Sequence, residues 1–489
     1  MTFTPRAQRV TIAVYMCLVA AHWAYAWWLP AVTLDSEAAG FLVTARSLAT
    51  GHGYVIGNLP HPVPQTNFPP LFPALLALFT LVSRQAQWLK LLPMLCGFGW
   101  LLLTRRLLLR MGASENSALL LIGLTAASPT VIFLSTNLVP ETLFALLGTA
   151  ALLALLDEHP SLAGGIAGLA TLTRTGGIGL IVACILTLAV RRRFRGAIVF
   201  AAIAMLITAP WFGWSLAHYS RGVSHESLEI FTSLAANEKL VVLFQNFVSL
   251  LASPYSLLTG FGSVYFIIGT LFLLARGLWI RRQLVPDLFV VLFSLSLLVW
   301  TVPPERYVAP VIPLFFWMIW RVLRLMRNRE ALAAIVLIVL ATPLVADATR
   351  LLPAHSSGVF PRERIPADNW QRVEALSEYI RANTAPDAVL LANLDRAFFL
   401  NTSRKTVRGF VPNHFDLYYL ERQSISPDEL SRAIIREGVG WVIVTPDRGL
   451  AESSSFHVSV QALQRGNVIE PIALPGLPRD YQLFKVITH

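Results

Sequence analysis

The chain has 489 residues, 55% of them hydrophobic and only 14% charged, with a mean hydropathy of +0.60. Soluble proteins carry about a quarter charged residues, so apolar runs that recur along the whole chain imply lipid as solvent and a polytopic membrane protein. The net charge of +11 does not describe a nucleic-acid binder. Its arginines sit in short clusters between apolar runs (Arg191 to Arg193 with Arg195; Arg281 and Arg282; Arg321, Arg324, Arg327 and Arg329), as the positive-inside rule produces.

Val10–Leu29 is too long for a signal-peptide core and lacks a small-residue cleavage site. It reads as the first spanning helix, with Arg6 and Arg9 cytoplasmic. A polar-to-mixed first outer loop follows, over residues 30–68. Phe68–Val82 is apolar but short, with prolines crowding its start, and the next true span is Leu91–Leu109. Arg105, Arg106 and Arg110 stay cytoplasmic only if Phe68–Val82 is re-entrant or interfacial. Spans are expected at Ser117–Thr136 and Val139–Leu156. The stretch from Asp157 and Glu158 to Arg191 has cytoplasmic flanks at both ends, so it reads as two short helices with Arg174 at their tip. Ala197–Leu216 leads to an outer loop with His218, Arg221, His225, Glu226 and Lys239. Within that outer region, Leu240–Leu258 is a candidate re-entrant segment. Phe261–Ile280, Leu284–Thr301, Val308–Trp320 and Ala331–Ala346 complete about eleven spans by length and charge. Cys17, Cys96 and Cys184 lie in apolar stretches without metal-ligand spacing and read as small buried hydrophobes.

From about residue 349 the composition changes, dividing the chain into a membrane module, 1–348, and a soluble α/β domain, 349–489. The segment DNWQRVEALSEYIRANTA carries Val373, Leu376, Tyr379 and Ile380 at helical spacing. The segment SPDELSRAIIREG begins with Ser426 as N-cap, Pro427 and Glu429 in the first turn, and ends on Gly438. AVLLANLD, WVIVTP and YQLFKVI read as strands, and the number of crossings places this domain on the extracytoplasmic side.

Four places carry candidate chemistry. Asp35 and Glu37 leave the first helix end, where acids ordinarily serve solvation. Glu141 sits in a short outer loop on the same face. Arg174 is flanked by apolar helix on both sides, and a charge at membrane depth ordinarily marks a functional site or a buried ion pair. Glu305, Arg306 and Tyr307 stand at another outer helix end, where Tyr307 could equally be an interfacial anchor. No Walker A loop, HExxH or GxSxG elbow occurs. GGIAG and TGGIG read as close helix packing.

The segments LDSEAAGFLVTARSLATGHGY and NFPPLFPALLALF together resemble the first outer loop of GT-C glycosyltransferases. The resemblance is to the protein O-mannosyltransferase and lipid A aminoarabinose transferase branch, similar to glycosyltransferase family 39. NLVPETLFALL, GLATLTR, ERYVAPVIPLF and VLLANLDRAFFLNTSRKTVRG follow in the expected order, although Ser36 separates two acids that many relatives have adjacent. The resemblance implies a multi-pass inner-membrane enzyme that moves a sugar, hexosyl or pentosyl, from a polyprenyl phosphate to an extracytoplasmic acceptor. It implies Asp35 as base, Glu37 and Glu141 as carboxylates at the reacting sugar, and Arg174, Arg306 and Tyr307 around the donor phosphate. No cofactor is specified; a divalent cation could sit between the carboxylates, but no ligand spacing demands one. The alternative is a transporter or flippase of a lipid-linked saccharide.

Overall fold

The computed structural model describes residues 36–83, 86–218, 227–252, 284–301, 306–324, 367–408, 425–445 and 454–487, with a few single positions between. The expected spans Val10–Leu29, Phe261–Ile280 and Ala331–Ala346 fall largely or wholly outside these residues.

The described part of the membrane module is helical. In chain order its main helices are α1 (Ser36–Ala49), α2 (Leu71–Val82), α3 (Leu91–Arg110), α4 (Glu115–Ala127), α5 (Pro129–Thr136) and α6 (Glu141–Leu156). They continue as α7 (Pro160–Thr171), α8 (Gly177–Val190), α9 (Phe194–Ala217), α10 (Ala236–Ala252), α11 (Leu284–Leu298) and α12 (Ile312–Leu323). Among the described residues α3 and α9 are long and apolar enough to cross a membrane, and α4 with α5 makes a third crossing if that pair, bent by 65°, is one span. Pro129 starts α5 with no backbone N–H to give, which is why the ladder breaks there. The expected count of about eleven is therefore not established. α2, with 12 residues, is ~18 Å long at 1.5 Å per residue, short of the ~30 Å hydrocarbon core.

Charge pairs mark the two ends of the bundle. At one end Arg106 and Arg110 both meet Asp157, Arg193 meets Glu158 at 2.7 Å, and Arg105 meets Glu115. Glu141 begins α6 and Asp157 follows it, so the other end of the bundle lies about one helix length away. The turn of Arg174 lies there, between α7 and α8. The expected pair of short helices with Arg174 at the tip is thus the observed arrangement. α7 and α9 pack with almost no gap: a Cβ on Gly164 would stand 2.5 Å from the Phe200 carbonyl oxygen, and one on Gly168 3.0 Å from Ile207. The outward side of α9 keeps Ile198, Met205, Leu206 and Leu216 exposed, as a lipid-facing surface does.

Two expectations are corrected. Arg321 is not part of an exposed basic cluster: it is 5% exposed and donates to Asp287 through both terminal nitrogens, at 2.7 and 3.3 Å. Burial of one charge is tolerated because α11 supplies the opposite one. Cys96 and Cys184 are buried as expected, but Cys17 is exposed, since in a lipid-bathed chain an apolar side chain need not enter the protein core.

The C-terminal region folds around a five-stranded mixed sheet. With β1 (Val55–Ile56) and β2 (Val63–Pro64) forming a small ribbon in the first loop, its strands are β3 (Val389–Ala392), β4 (Lys405–Val407), β5 (Trp441–Val444), β6 (Ile469–Ile472) and β7 (Gln482–Val486). The order is β4-β3-β5-β7-β6, with β3 parallel to both neighbours and β7 antiparallel to both of its own. Four further helices accompany it: α13 (Ala367–Asn383), α14 (Asp395–Thr402), α15 (Pro427–Glu437) and α16 (Ser454–Arg465). Val373, Leu376 and Ile380 bury one stripe of α13 with Leu390 and Leu483. α15 has the full capping box, with Ser426 accepting from the Glu429 amide and Glu429 accepting from the Ser426 amide, and ends on Gly438 at φ +64°. β4 and β6 were not foreseen; each is short, and Pro471 interrupts the hydrophobic pattern of β6.

Candidate functional site

Four chain segments end within contact of one another at the Arg174 end of the bundle. Glu37 lies in the first turn of α1 and Glu141 opens α6; carboxylates in those positions face the positive end of a helix dipole. Arg174 sits in the turn between α7 and α8, where its backbone amide bonds the Ala170 carbonyl at 3.1 Å. Arg306 and Tyr307 precede the 3-10 turn Ala309–Val311, which leads into α12.

Their side chains interlock. Arg174 bonds Glu37 Oε1 at 3.1 Å and forms an ion pair with Glu141. Arg306 forms an ion pair with Glu37, and its Nε lies 3.8 Å from Glu141 Oε1. Tyr307 is shared by both guanidiniums: Arg174 lies 4.4 Å and Arg306 4.9 Å from the ring centroid, and Arg306 Nη2 donates to the phenol oxygen at 2.9 Å. Cation–π contacts of this kind add to the charge pairing. Two carboxylates and two guanidiniums leave the cluster formally neutral, which is what permits four charges in so apolar a place.

Exposure distinguishes the members. Glu141 is almost wholly buried at 1%, and Tyr307 is 7% exposed. The side chains of Arg174, Glu37 and Arg306 keep 17%, 18% and 21% of their surface. Glu141 can therefore hold Arg174 but has little surface to offer a substrate, whereas the two arginines and Glu37 each keep some. The Nε of Arg174 is buried with no hydrogen-bond partner among the described residues.

Of the six sequence-chosen residues, Glu37, Glu141, Arg174, Arg306 and Tyr307 meet here. Asp35 lies outside the described residues, as do Glu305, Arg221, His225 and Glu226. Lys239, from the outer loop, donates to the Thr232 carbonyl at 3.0 Å and does not enter the cluster. Sequence reading overlooked Lys90, a fully buried lysine at the start of α3; a lysine between apolar residues was the signal. It also overlooked the contact that joins the first loop to the C-terminal region. Asn58 donates to Asp395 and to the Thr406 carbonyl, both at 3.0 Å, Arg408 bonds the other Asp395 oxygen at 3.0 Å, and Arg46 reaches the Leu400 carbonyl at 3.2 Å. α1, which carries Glu37, is thus fixed from above by α14. From the side, Trp214 of α9 donates to the Gln65 carbonyl at 3.2 Å. Among the described residues no group of three or more His, Cys, Asp or Glu side chains is arranged for a metal.

No family model matches the chain, and no curated protein matches it in sequence. Among solved structures, apo ArnT from Cupriavidus metallidurans superimposes with a TM-score of 0.59 over 98% of each chain, at 12% identity. ArnT from the same organism bound to undecaprenyl phosphate gives 0.61 over 97% of each chain, at 13% identity. The chain shares the fold of these ArnT structures. At such low identity the likeness speaks for the fold, and it extends over the membrane module and the C-terminal region alike.

Proposed function

We propose that this chain is a GT-C glycosyltransferase of the inner membrane that moves a sugar from a polyprenyl phosphate to an acceptor outside the cytoplasm. The observation that carries the reading is the Arg174–Glu141–Glu37–Arg306 cluster with Tyr307, set at one end of a GT-C bundle beneath the first loop and the C-terminal region. A lipid-linked donor leaves its phosphate at the bilayer edge, so the cationic groups that receive it must also be there. The solved ArnT bound to undecaprenyl phosphate supports a ligand of that class.

The geometry refines the division of labour. Arg174 and Arg306, each paired with carboxylates and each keeping about a fifth of its side-chain surface, can receive the departing phosphate through bidentate hydrogen bonds. Glu141 acts as a positioning residue for Arg174. Glu37 is the more accessible carboxylate, suited to stabilise positive charge on the sugar or to orient the acceptor. Asp35, two residues away and so within ~7 Å along the chain, remains the proposed base for the acceptor hydroxyl. The bonds of Asn58 in the first loop to Asp395 and Thr406 support a C-terminal region on the same side of the membrane as that loop, which this reading takes as the outer one. Hexosyl or pentosyl donor, and protein, lipid or glycan acceptor, are chosen by contacts that the cluster does not contain.

The test is mass spectrometry of polyprenyl phosphates and envelope glycans from a strain lacking the gene. The reading predicts accumulation of a polyprenyl-phosphate sugar together with loss of one extracytoplasmic modification. Unchanged profiles of both would contradict it.

A further inference from the structure

At the opposite end of the bundle, α8 turns directly into α9. The amides of Arg191, Arg192 and Arg193 bond back to the carbonyls of Thr187, Ala189 and Leu188, and Arg192 takes a left-handed φ of +57°. This tight turn spreads four arginines, with Arg195, around a cavity of about 620 Å³ whose wall includes Leu155, Pro160 and Leu188. That volume falls within the roughly 300–1,000 Å³ of small-ligand sites. Glu158 is the one acid in the lining and is taken by Arg193 at 2.7 Å. Four guanidiniums against one carboxylate leave a net charge of +3. Neither Arg192 nor Arg195 has a carboxylate partner among the described residues.

The surface beside the cavity is apolar. Phe194, which lines it, is 61% exposed, and Val190 and Ile198 on either side of the turn are 67% and 69% exposed. A soluble phosphate compound would use the arginines and leave this surface idle. A lipid would use both.

We propose that this cavity binds the headgroup of an anionic phospholipid, with its phosphate on Arg192 and Arg195 and its acyl chains along Val190, Phe194 and Ile198. The site is distinct from the Arg174 cluster, which lies at the other end of the bundle, and does not depend on the transferase reading. Arginine suits the role because its planar fork bonds two phosphate oxygens at once. By the positive-inside rule this end faces the cytoplasmic leaflet, where basic pockets between helices meet anionic headgroups.

The full-length wild-type protein is placed in nanodiscs of phosphatidylglycerol or of phosphatidylcholine, and in detergent with millimolar inorganic phosphate. Arginine modification by phenylglyoxal is then mapped by peptide mass spectrometry. Protection of Arg192 and Arg195 in phosphatidylglycerol alone is expected. Equal protection in phosphatidylcholine, or protection by inorganic phosphate alone, would overturn the proposal. Retention of phosphatidylglycerol by the Arg192→Gln/Arg195→Gln variant, read by native mass spectrometry, should be weakened about 25-fold, at about fivefold per arginine. Retention as in wild type would count against the site. Because the footprint uses unaltered protein, the result stands even if the variant inserts poorly.

Discussion

Arg174 decides the behaviour of the polar cluster, because it touches both glutamates and the Tyr307 ring. Removing a preorganised electrostatic partner typically costs about a hundred- to a thousand-fold in rate, and that loss of transfer is the expectation for Arg174→Ala. The same change leaves Glu141 buried beside a void, and breaking a buried pair costs about 3–5 kcal/mol. A lowered melting temperature should therefore accompany the lost activity. Glu141→Gln separates the two effects, since the positioning role predicts a weaker loss of rate and strong non-additivity with Arg174→Ala in a double-mutant cycle. Additive effects would show that the two residues act independently. Asp35→Asn should abolish transfer while leaving the fold unchanged, measured as turnover and melting temperature on the same purified sample. The sequence made these residues visible because each is a charge beside a long apolar run. It could not show their pairing, because Glu37, Glu141, Arg174 and Arg306 come from four separate segments. The pairing of Asp287 with Arg321 was hidden for the same reason: Arg321 read as one of a basic cluster, and only packing brings it to Asp287.

Helix ends and helix packing were the most legible elements. Ser426, Pro427, Glu429 and Gly438 spell out the start and stop of α15, and each occupies its expected place. Ser426→Ala should cost about 1 kcal/mol, seen as faster amide exchange in the first turn of α15. The Ser426 amide and hydroxyl hold the Glu429 carboxyl below the usual carboxylate range. Its folded pKa is then lower than its unfolded one, so the unfolded state binds more protons in between. The cap contributes stability above the unfolded pKa and loses it as pH falls through the folded value. Protection factors in that turn should accordingly fall on acidification, and Ser426→Ala should reduce this pH dependence without removing it, because the amide at position 426 still bonds Glu429. The glycine-rich stretch was also readable as close packing. Gly164→Ala must push α7 away from the Phe200 carbonyl, so a lower melting temperature is expected, with overpacking costing about 1–3 kcal/mol. The short strands β4 and β6 were not legible, because so few residues carry too little alternation to stand out from a loop.

At the scale of the whole molecule, the paired arginines and acids give the bundle two different ends, and the reading assigns the Arg193–Glu158 end to the cytoplasm. Single cysteines placed at Glu158 and at His218 should react with a membrane-impermeant maleimide from opposite sides, His218 from outside. Labelling of both from one side would refute that orientation. Alternating charge and hydropathy made the helical order legible. The bond network from Asn58 to Asp395 and Arg408 was not, since a contact between residues more than three hundred positions apart leaves no local pattern. The claim on which the functional account rests is that the Arg174 cluster receives a polyprenyl phosphate. Binding of undecaprenyl phosphate to the purified full-length chain tests it most directly. Wild type and Asp35→Asn should bind alike, and Arg174→Ala should bind about 10- to 100-fold more weakly, as loss of a charged hydrogen bond implies. Equal binding by wild type and Arg174→Ala, or no binding by wild type, would contradict the account.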